Sequence, residues 1–163
     1  MVESVTCYHK VEDKLEFSGK HNNSLDAKGR LIIPAAFREG LSAYDSSTLF
    51  ITNEVFDKCL SAYPVAEWKK LVEKVKALPQ TSDAVKYYMR RVIGSATKCE
   101  MDKQGRILVS AALRKDAGLT NEIVLIGLGD RIEIWDNAEY ESVAGPSKAD
   151  KESFKEEFNQ LGL

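Results

Sequence analysis

The sequence predicts an α+β fold in which two copies of one β-hairpin unit share a single core. Three observations support this prediction. A motif of fourteen residues occurs twice, short aliphatic runs alternate with turn residues, and longer segments carry apolar residues at three- and four-residue spacing. The chain has 163 residues and a hydrophobic content of 44%, which is ordinary for a folded domain and excludes disorder or collagen-like repetition.

The repeated motif reads DAKGRLIIPAAFRE at residues 26–39 and DKQGRILVSAALRK at residues 102–115. At an offset of 76 residues, six of the fourteen positions are identical. They are Asp26/Asp102, Gly29/Gly105, Arg30/Arg106, Ala35/Ala111, Ala36/Ala112 and Arg38/Arg114. Downstream, Leu49-Phe50-Ile51 aligns with Val124-Leu125-Ile126, and CLSAYPVAEW aligns with RIEIWDNAEY. The two copies are predicted at residues 18–78 and 94–144.

Each copy begins with a predicted turn, strand and short helix. Asp-x-x-Gly-Arg is typical of a tight turn, because Asp accepts hydrogen bonds from nearby backbone N–H groups and Gly adopts positive φ. Three aliphatic residues then predict a strand. A short helix should follow over residues 35–39, with Pro34 as its first residue, and over residues 111–117, with Ser110 as its N-cap. The expected helix stops are Gly40 and Gly118.

Each copy continues with a second hairpin, predicted at residues 49–52 with 59–62 and at residues 123–126 with 131–135. Helical spacing of apolar residues predicts a helix over 64–78 and another over 82–93, with Ala84 and Val92 on the inner face of the second. We interpret residues 79–93 as the connection between the copies and residues 145–163 as a C-terminal amphipathic helix.

A single copy of about 50 residues is small for an independent core. We therefore expect the copies to pack about a pseudo-twofold axis and to interleave their strands, so that sheet edges are covered.

Charge, cysteine content and hydropathy limit the function classes. The net charge of −2 argues against nucleic acid, yet residues 18–138 carry eighteen basic and fifteen acidic residues, so acidic ends mask a mildly basic body. Cys7, Cys59 and Cys99 form no C-x-x-C pair, and the Cys7-x-His9 pair is interpreted as incidental, so no metal site is predicted. With no signal peptide or membrane span in the sequence, we expect a cytoplasmic protein.

The repeated turns are the candidate binding site. They present Asp26, Lys28, Arg30, Asp102, Lys103 and Arg106, which we take to occupy equivalent positions in the two copies. The Asp and Arg side chains can meet across a five-residue turn, and a carboxylate can orient a guanidinium toward guanine or phosphate. Two interpretations remain open: the pair only stabilises the turn, or it presents arginine to nucleic acid.

Catalysis has no support in the sequence. No nucleophile has a nearby histidine at a plausible site, and the Gly127-Leu128-Gly129 segment lacks the third glycine of a dinucleotide-binding loop. We predict a protein that is not an enzyme and that carries no cofactor.

Taken together, NNSLDAKGRLIIPAAFRE, CLSAYP-x-x-EW, MDKQGRILVSAALR and VLIGLGDRIEIWD resemble the MraZ family of bacterial transcriptional regulators. The resemblance covers roughly residues 17–144, and each half resembles an AbrB-type swapped-hairpin unit. It implies a β-barrel core, chains that associate into a closed ring, and binding to tandem DNA repeats upstream of a cell-division and cell-wall gene cluster.

The family's D-x-x-x-R motif, which contacts DNA, falls on Asp26 with Arg30 and on Asp102 with Arg106. Lys28 and Lys103 would then contact phosphates, and the protein would be associated with the nucleoid. Residues 1–16 precede the usual start of the family's chains and are expected to be a flexible extension. The alternative from another class is a ring-forming scaffold or protein-interaction module without specific DNA binding.

Overall fold

The computed structural model describes residues 17–44, 46–146 and 152–163, so the predicted extension at residues 1–16, with Cys7 and His9, lies outside the described residues. The strands are β1 (Phe17–Ser24), β2 (Arg30–Ile32), β3 (Thr48–Asn53), β4 (Leu60–Pro64), β5 (Thr97–Glu100), β6 (Arg106–Leu108), β7 (Glu122–Gly129) and β8 (Ile132–Asp136). The helices are α1 (Ala35–Ser42), α2 (Val65–Lys76), α3 (Asp83–Tyr88), α4 (Ala111–Asp116), α5 (Asn137–Ala144) and α6 (Glu152–Leu161).

The strands of the two copies interleave. The six-stranded antiparallel sheet has the order β1-β7-β8-β4-β3-β5, so the first strand of each copy pairs with the third strand of the other. The fourth strands, β4 and β8, pair with each other, and the second strands, β2 and β6, form a separate two-stranded ribbon. A bridge between Leu25 and Leu31 connects β1 to this ribbon. The pseudo-twofold arrangement confirms the predicted duplicated α+β core.

The ribbon closes over the sheet around one shared core. At its centre Leu31 lies directly opposite Ile107, and both side chains are at most 1% exposed. They belong to a single buried cluster to which both copies contribute, including Leu60 of β4 and Ile134 of β8. Burial of one such side chain contributes about 1.5–3 kcal/mol. Each copy alone would leave its strands exposed to water, which is why the two fold as one body.

The third strands align one residue earlier than the sequence comparison placed them. Leu49 lies opposite Pro64, and Ile123 lies opposite Asp136, so Leu49 corresponds to Ile123 and not to Val124. Pro64 and Asp136 are the equivalent N-caps of α2 and α5. Because side chains alternate across a strand, the sequence alignment had put core positions on the wrong face.

The short helices differ in how they begin and end. Pro34 is the N-cap of α1 and not its first residue, and α1 continues through Gly40 to Ser42, so the predicted stop at Gly40 is wrong. The apolar contact of Leu41, which is 1% exposed, explains the extra turn. In the second copy, Ser110 Oγ accepts a hydrogen bond from the Leu113 N–H at 3.3 Å, and Gly118 beyond the helix end has φ +61°. The predicted cap and stop are confirmed there.

The helices between the copies form a second, smaller apolar cluster. Trp68 of α2 packs with Tyr63 and with Val92, which lies in a π-helical turn at Met89–Ile93 that continues α3. The predicted single helix over 82–93 is therefore interrupted by a change of helical pitch, and Ala84 is exposed instead of facing inward. A C-terminal helix is present as α6, with Phe154, Phe158 and Leu161 each at least 38% exposed.

Candidate nucleic-acid interface

The first Asp-x-x-Gly-Arg turn is organised by one carboxylate. Asp26 Oδ1 accepts hydrogen bonds from the backbone N–H groups of Lys28 and Arg30, both at 2.9 Å. Asp26 Oδ2 accepts the Nε–H of Arg30 at 2.6 Å. The Gly29 N–H donates to the Asp26 carbonyl at 3.0 Å, and Gly29 adopts φ +83°. The sequence thus specifies a closed turn whose arginine is held at Nε only.

The second turn repeats this geometry bond by bond. Asp102 Oδ1 accepts from the backbone N–H groups of Gln104 and Arg106 at 2.9 Å, and Oδ2 accepts the Arg106 Nε–H at 2.9 Å. Gly105 has φ +77°. Within the part of the chain that is described, the Nη groups of Arg30 and Arg106 have no hydrogen-bond partner in the protein. The two Nη groups of each guanidinium therefore remain available to a ligand, on side chains that are 33% exposed for Arg30 and 27% exposed for Arg106.

Hydrogen bonding also sets the charge state of the two carboxylates. The backbone N–H of Arg30 is the largest of the interactions that hold the pKa of Asp26 below its usual range, and the N–H of Arg106 has the same effect on Asp102. Both side chains are consequently ionised at neutral pH and keep the arginine Nε–H engaged.

Two further arginines, which the sequence analysis did not assign, reach the turns from the opposite copy. The Arg114 guanidinium of α4 lies over Gly29, so that a Cβ built on Gly29 would be 2.6 Å from Arg114 Cζ. In the symmetric position, a Cβ on Gly105 would be 2.6 Å from Arg38 Nη1. The signal was available in the sequence, because Arg38 and Arg114 are one of the six identical pairs of the repeat.

The lysines do not occupy equivalent positions, contrary to the prediction. Lys28 is the second residue after Asp26, where the second copy has Gln104, and its N–H forms the turn hydrogen bond. Lys103 follows Asp102 directly, where the first copy has Ala27. Both lysine side chains are exposed. The turns therefore share their Asp–Arg geometry but differ in where the extra positive charge lies.

The outer face of the ribbon brings both arginines into one patch. In the register of β2 and β6, Arg30 lies opposite Leu108, and Ile32 lies opposite Arg106. Because side chains alternate, these four point away from the core that holds Leu31 and Ile107. Arg30 and Arg106 occupy one diagonal of the patch, and diagonal neighbours in an antiparallel pair lie roughly 7–8 Å apart.

The described cysteine and histidine side chains are packed within the fold. Burial raises the pKa of the Cys59 and Cys99 thiols, which keeps both neutral. His21 packs its ring edge-on against Phe37 at a centroid distance of 4.8 Å. Among the described residues, no cluster of His, Cys, Asp and Glu has a metal-binding arrangement. No helix in the described ranges is both long and apolar enough to cross a membrane.

Comparison with known proteins identifies the family. The family model of the MraZ protein matches residues 17–90 and 92–161. A transcriptional regulator MraZ from Acetivibrio thermocellus is 41% identical over 90% of this chain and 99% of its own length. A protein of the same name from Pelotomaculum thermopropionicum is 42% identical over 90% of this chain and 98% of its own length.

A third relative, also named transcriptional regulator MraZ and from Heliobacterium modesticaldum, is 43% identical over 80% of this chain and 90% of its own. The solution structure of a Pyrococcus horikoshii protein covers 72% of this chain and 87% of its own at a TM-score of 0.31 and 15% identity, too distant to inform the fold. The two segments that the family model matches fit the duplicated core described above. The three relatives are all named as transcriptional regulators, and the chain belongs to the MraZ family.

Proposed function

We propose that this protein is a transcriptional regulator that binds double-stranded DNA sequence-specifically through its two Asp–Arg turns. The observation that carries the proposal is the duplicated turn, in which each carboxylate engages arginine only at Nε and leaves both Nη groups without a hydrogen-bond partner among the described residues. A turn needs its glycine and its aspartate, but it does not need an arginine that is held in one orientation. The names of the relatives support the same function.

In this proposal, Arg30 and Arg106 donate through their Nη groups to guanine O6 and N7 in the major groove. Asp26 and Asp102 are positioning residues that limit the rotation of each guanidinium. Lys28 and Lys103 contact phosphates, and Arg38 and Arg114 add positive charge beside each turn. The excess of +3 over residues 18–138 is modest, so a single chain should bind weakly and lose affinity steeply with salt.

Self-association supplies the missing affinity in this proposal. Chains assemble into a closed ring, and turns on one rim engage tandem repeats upstream of the gene's own cell-division and cell-wall cluster, so that the protein resides on the nucleoid. Once one turn is bound, the next binds at a high effective concentration, which raises avidity by orders of magnitude without new contacts.

The test measures binding to the DNA upstream of the gene by fluorescence anisotropy, with unrelated DNA as competitor and salt as a variable. Arg30→Ala and Arg106→Ala should each reduce specific affinity by about tenfold or more, and the double variant should lose specificity. Arg90→Ala is the matched control, because Arg90 is an exposed arginine outside the turns.

Native mass spectrometry of the same variants checks assembly, which the arginine substitutions should leave intact. Tight, sequence-specific binding by the double variant would overturn the assignment. Intact assembly of the wild-type chain without specific binding to any upstream DNA would instead support the scaffold alternative.

A further inference from the structure

The outer face of the ribbon carries two aliphatic side chains that the fold does not need there. Ile32 is 50% exposed and Leu108 is 57% exposed, whereas their strand neighbours Leu31 and Ile107 are buried. The two occupy equivalent positions in the two copies and form the second diagonal of the patch described above. Both copies thus place an aliphatic residue on a solvent face beside a guanidinium, where a polar side chain would serve solubility better.

The backbone at both positions is held by the strand that precedes it in the chain. Asn23 Nδ2 of β1 donates to the Ile32 carbonyl at 2.6 Å. Cys99 Sγ of β5 donates to the Leu108 carbonyl at 3.4 Å. These equivalent contacts hold the backbone of both residues in the same way, so the two copies present the apolar pair from matching backbone positions.

The charge around the pair indicates what covers it. Arg30 and Arg106 flank it within the patch, each paired with Asp26 or Asp102 of its own turn, and Lys28 and Lys103 are exposed in the adjoining turns. The four basic and two acidic side chains together leave a net charge of +2. A second copy placed face to face would bring these cations against their own counterparts, which is unfavourable. An anionic partner with apolar groups on its reading edge fits both features. The major groove of DNA is such a surface, because it admits a two-stranded ribbon and displays the C5-methyl group of thymine beside guanine acceptors.

We propose that Ile32 and Leu108 read thymine by contacting its C5-methyl group next to the guanines bound by Arg30 and Arg106. The inference rests on the proposed function and adds a specificity determinant to the same face. Arginine selects guanine through hydrogen bonds, and the aliphatic pair favours thymine at the neighbouring steps by removing methyl surface from water. Each buried methyl group should change affinity about threefold to fivefold.

The experiment compares the upstream DNA with the same duplex in which thymine is replaced by uracil, which removes only the methyl groups. Anisotropy titrations use the full-length chain and the Ile32→Ala/Leu108→Ala double variant. Uracil should weaken binding of the wild-type chain by at least about threefold and should leave the variant almost unaffected. If uracil changes the shape of the DNA, the change affects binding of the wild-type chain and of the variant alike. Subtracting the effect of uracil on the variant from its effect on the wild type removes this contribution.

One control and one substitute variant keep the test decisive. Leu78→Ala removes an aliphatic side chain of similar exposure, 43%, from a position that follows α2 and should retain the full response to uracil. If the alanine variant fails to fold, Ile32→Thr/Leu108→Thr preserves strand propensity and removes most of the apolar contact.

The outcomes separate the two proposals. Specific binding with equal uracil effects in wild type and variant overturns the thymine contact and leaves the proposed function standing. A changed oligomeric mass in the variant shows instead that the pair contacts another copy, which also overturns it. Absence of specific binding by the wild-type chain overturns both proposals.

Discussion

The guanidinium of Arg114, from the second copy, lies against Gly29 in the turn of the first copy, and Arg38 lies in the same way against Gly105. Each turn is therefore completed by a side chain from the opposite repeat. Backbone bonds strengthen the exchange, because the Ile33 N–H donates to the Gly105 carbonyl at 2.8 Å and the Val109 N–H donates to the Gly29 carbonyl at 2.9 Å. Arg38 and Arg114 thus join the candidate site only when both copies are folded together.

Gly29→Ala and Gly105→Ala should damage both stability and binding. A Cβ is strained at φ +83° or +77°, which costs about 1–2 kcal/mol, and it displaces the arginine of the opposite copy. Thermal unfolding and anisotropy with upstream DNA measure the two effects. Gly19→Ala is the control, since its φ is +97° but its Cβ would meet only His21 Nε2 at 3.7 Å. Equal loss of DNA affinity in the control would show that the opposing arginines have no role.

Asp26→Asn with Asp102→Asn should separate arginine orientation from turn formation. Asparagine keeps an oxygen for the two backbone N–H groups, but its amide NH₂ cannot accept the arginine Nε–H. We expect a well-folded protein whose discrimination between upstream and unrelated DNA falls at least about tenfold. Non-specific affinity should rise, because two negative charges near the DNA are removed. Unchanged discrimination would mean that the carboxylates act only within the turn.

The shared core predicts that the two copies unfold together. Leu31→Ala or Ile107→Ala should cost about 2–5 kcal/mol, because each leaves a cavity at the centre of the ribbon. The chain provides one tryptophan per copy, Trp68 and Trp135, so single-tryptophan variants report each copy during urea unfolding. Their transitions should coincide in the wild-type chain and shift together in either alanine variant. Two separated transitions would contradict a common core.

The helix starts of the two copies predict that proline partly replaces serine as the residue before α4. Ser110→Ala removes the Oγ acceptor of the Leu113 N–H and should cost about 0.5–2 kcal/mol. Ser110→Pro should recover part of that loss, because Ser110 has φ −60° and ψ 150°, close to the −54° and 146° of Pro34. Thermal unfolding checks both. Ser142→Ala, at an exposed helical serine, is the control, and a proline variant less stable than the alanine variant would contradict the predicted equivalence.

The burial of Glu133, at the contact between β4 and β8, predicts that the stability of the protein depends on pH. Burial raises its pKa, although the Trp135 Nε1–H donates to its carboxylate at 3.0 Å. The folded state therefore disfavours the ionised carboxylate, which lowers the free energy of unfolding. This loss of stability is fully present when the pH is above the raised pKa of the folded state, and it is absent when the pH is below the pKa of about 4.3 in the unfolded chain. Glu133→Gln keeps an acceptor for Trp135 and should raise Tm at pH 7, with the gain vanishing near pH 4. Glu122→Gln, the same chemical change at an exposed strand position, is the matched control.

Much of the fold was predictable because its signals are local. The internal repeat indicated duplication, and the alternation of aliphatic residues indicated short strands. Asp26 with Gly29 specified its turn through contacts that span only a few residues. Capping by Ser110 was predictable for the same reason. The family assignment rested on these motifs in order, and the family match confirms it.

Other features depend on contacts between distant residues. Helix α1 passes Gly40 because Leu41 is drawn into the core, and that burial outweighs the weak helix propensity of glycine. The one-residue shift between Leu49 and its true counterpart Ile123 is visible only from strand pairing, because two adjacent aliphatic residues satisfy the sequence pattern equally well.

The sequence by itself determined that the chain is duplicated, that each copy carries an Asp-x-x-Gly-Arg turn, and that the protein resembles the MraZ family. Only the tertiary structure decided that Arg114 completes the turn of Gly29 and that Ile32 and Leu108 lie exposed between Arg30 and Arg106. The physical reason is that strand exchange between the repeats brings together residues as distant in sequence as Phe17 and Gly129, and no local periodicity encodes which face of a three-residue strand the closed core will cover.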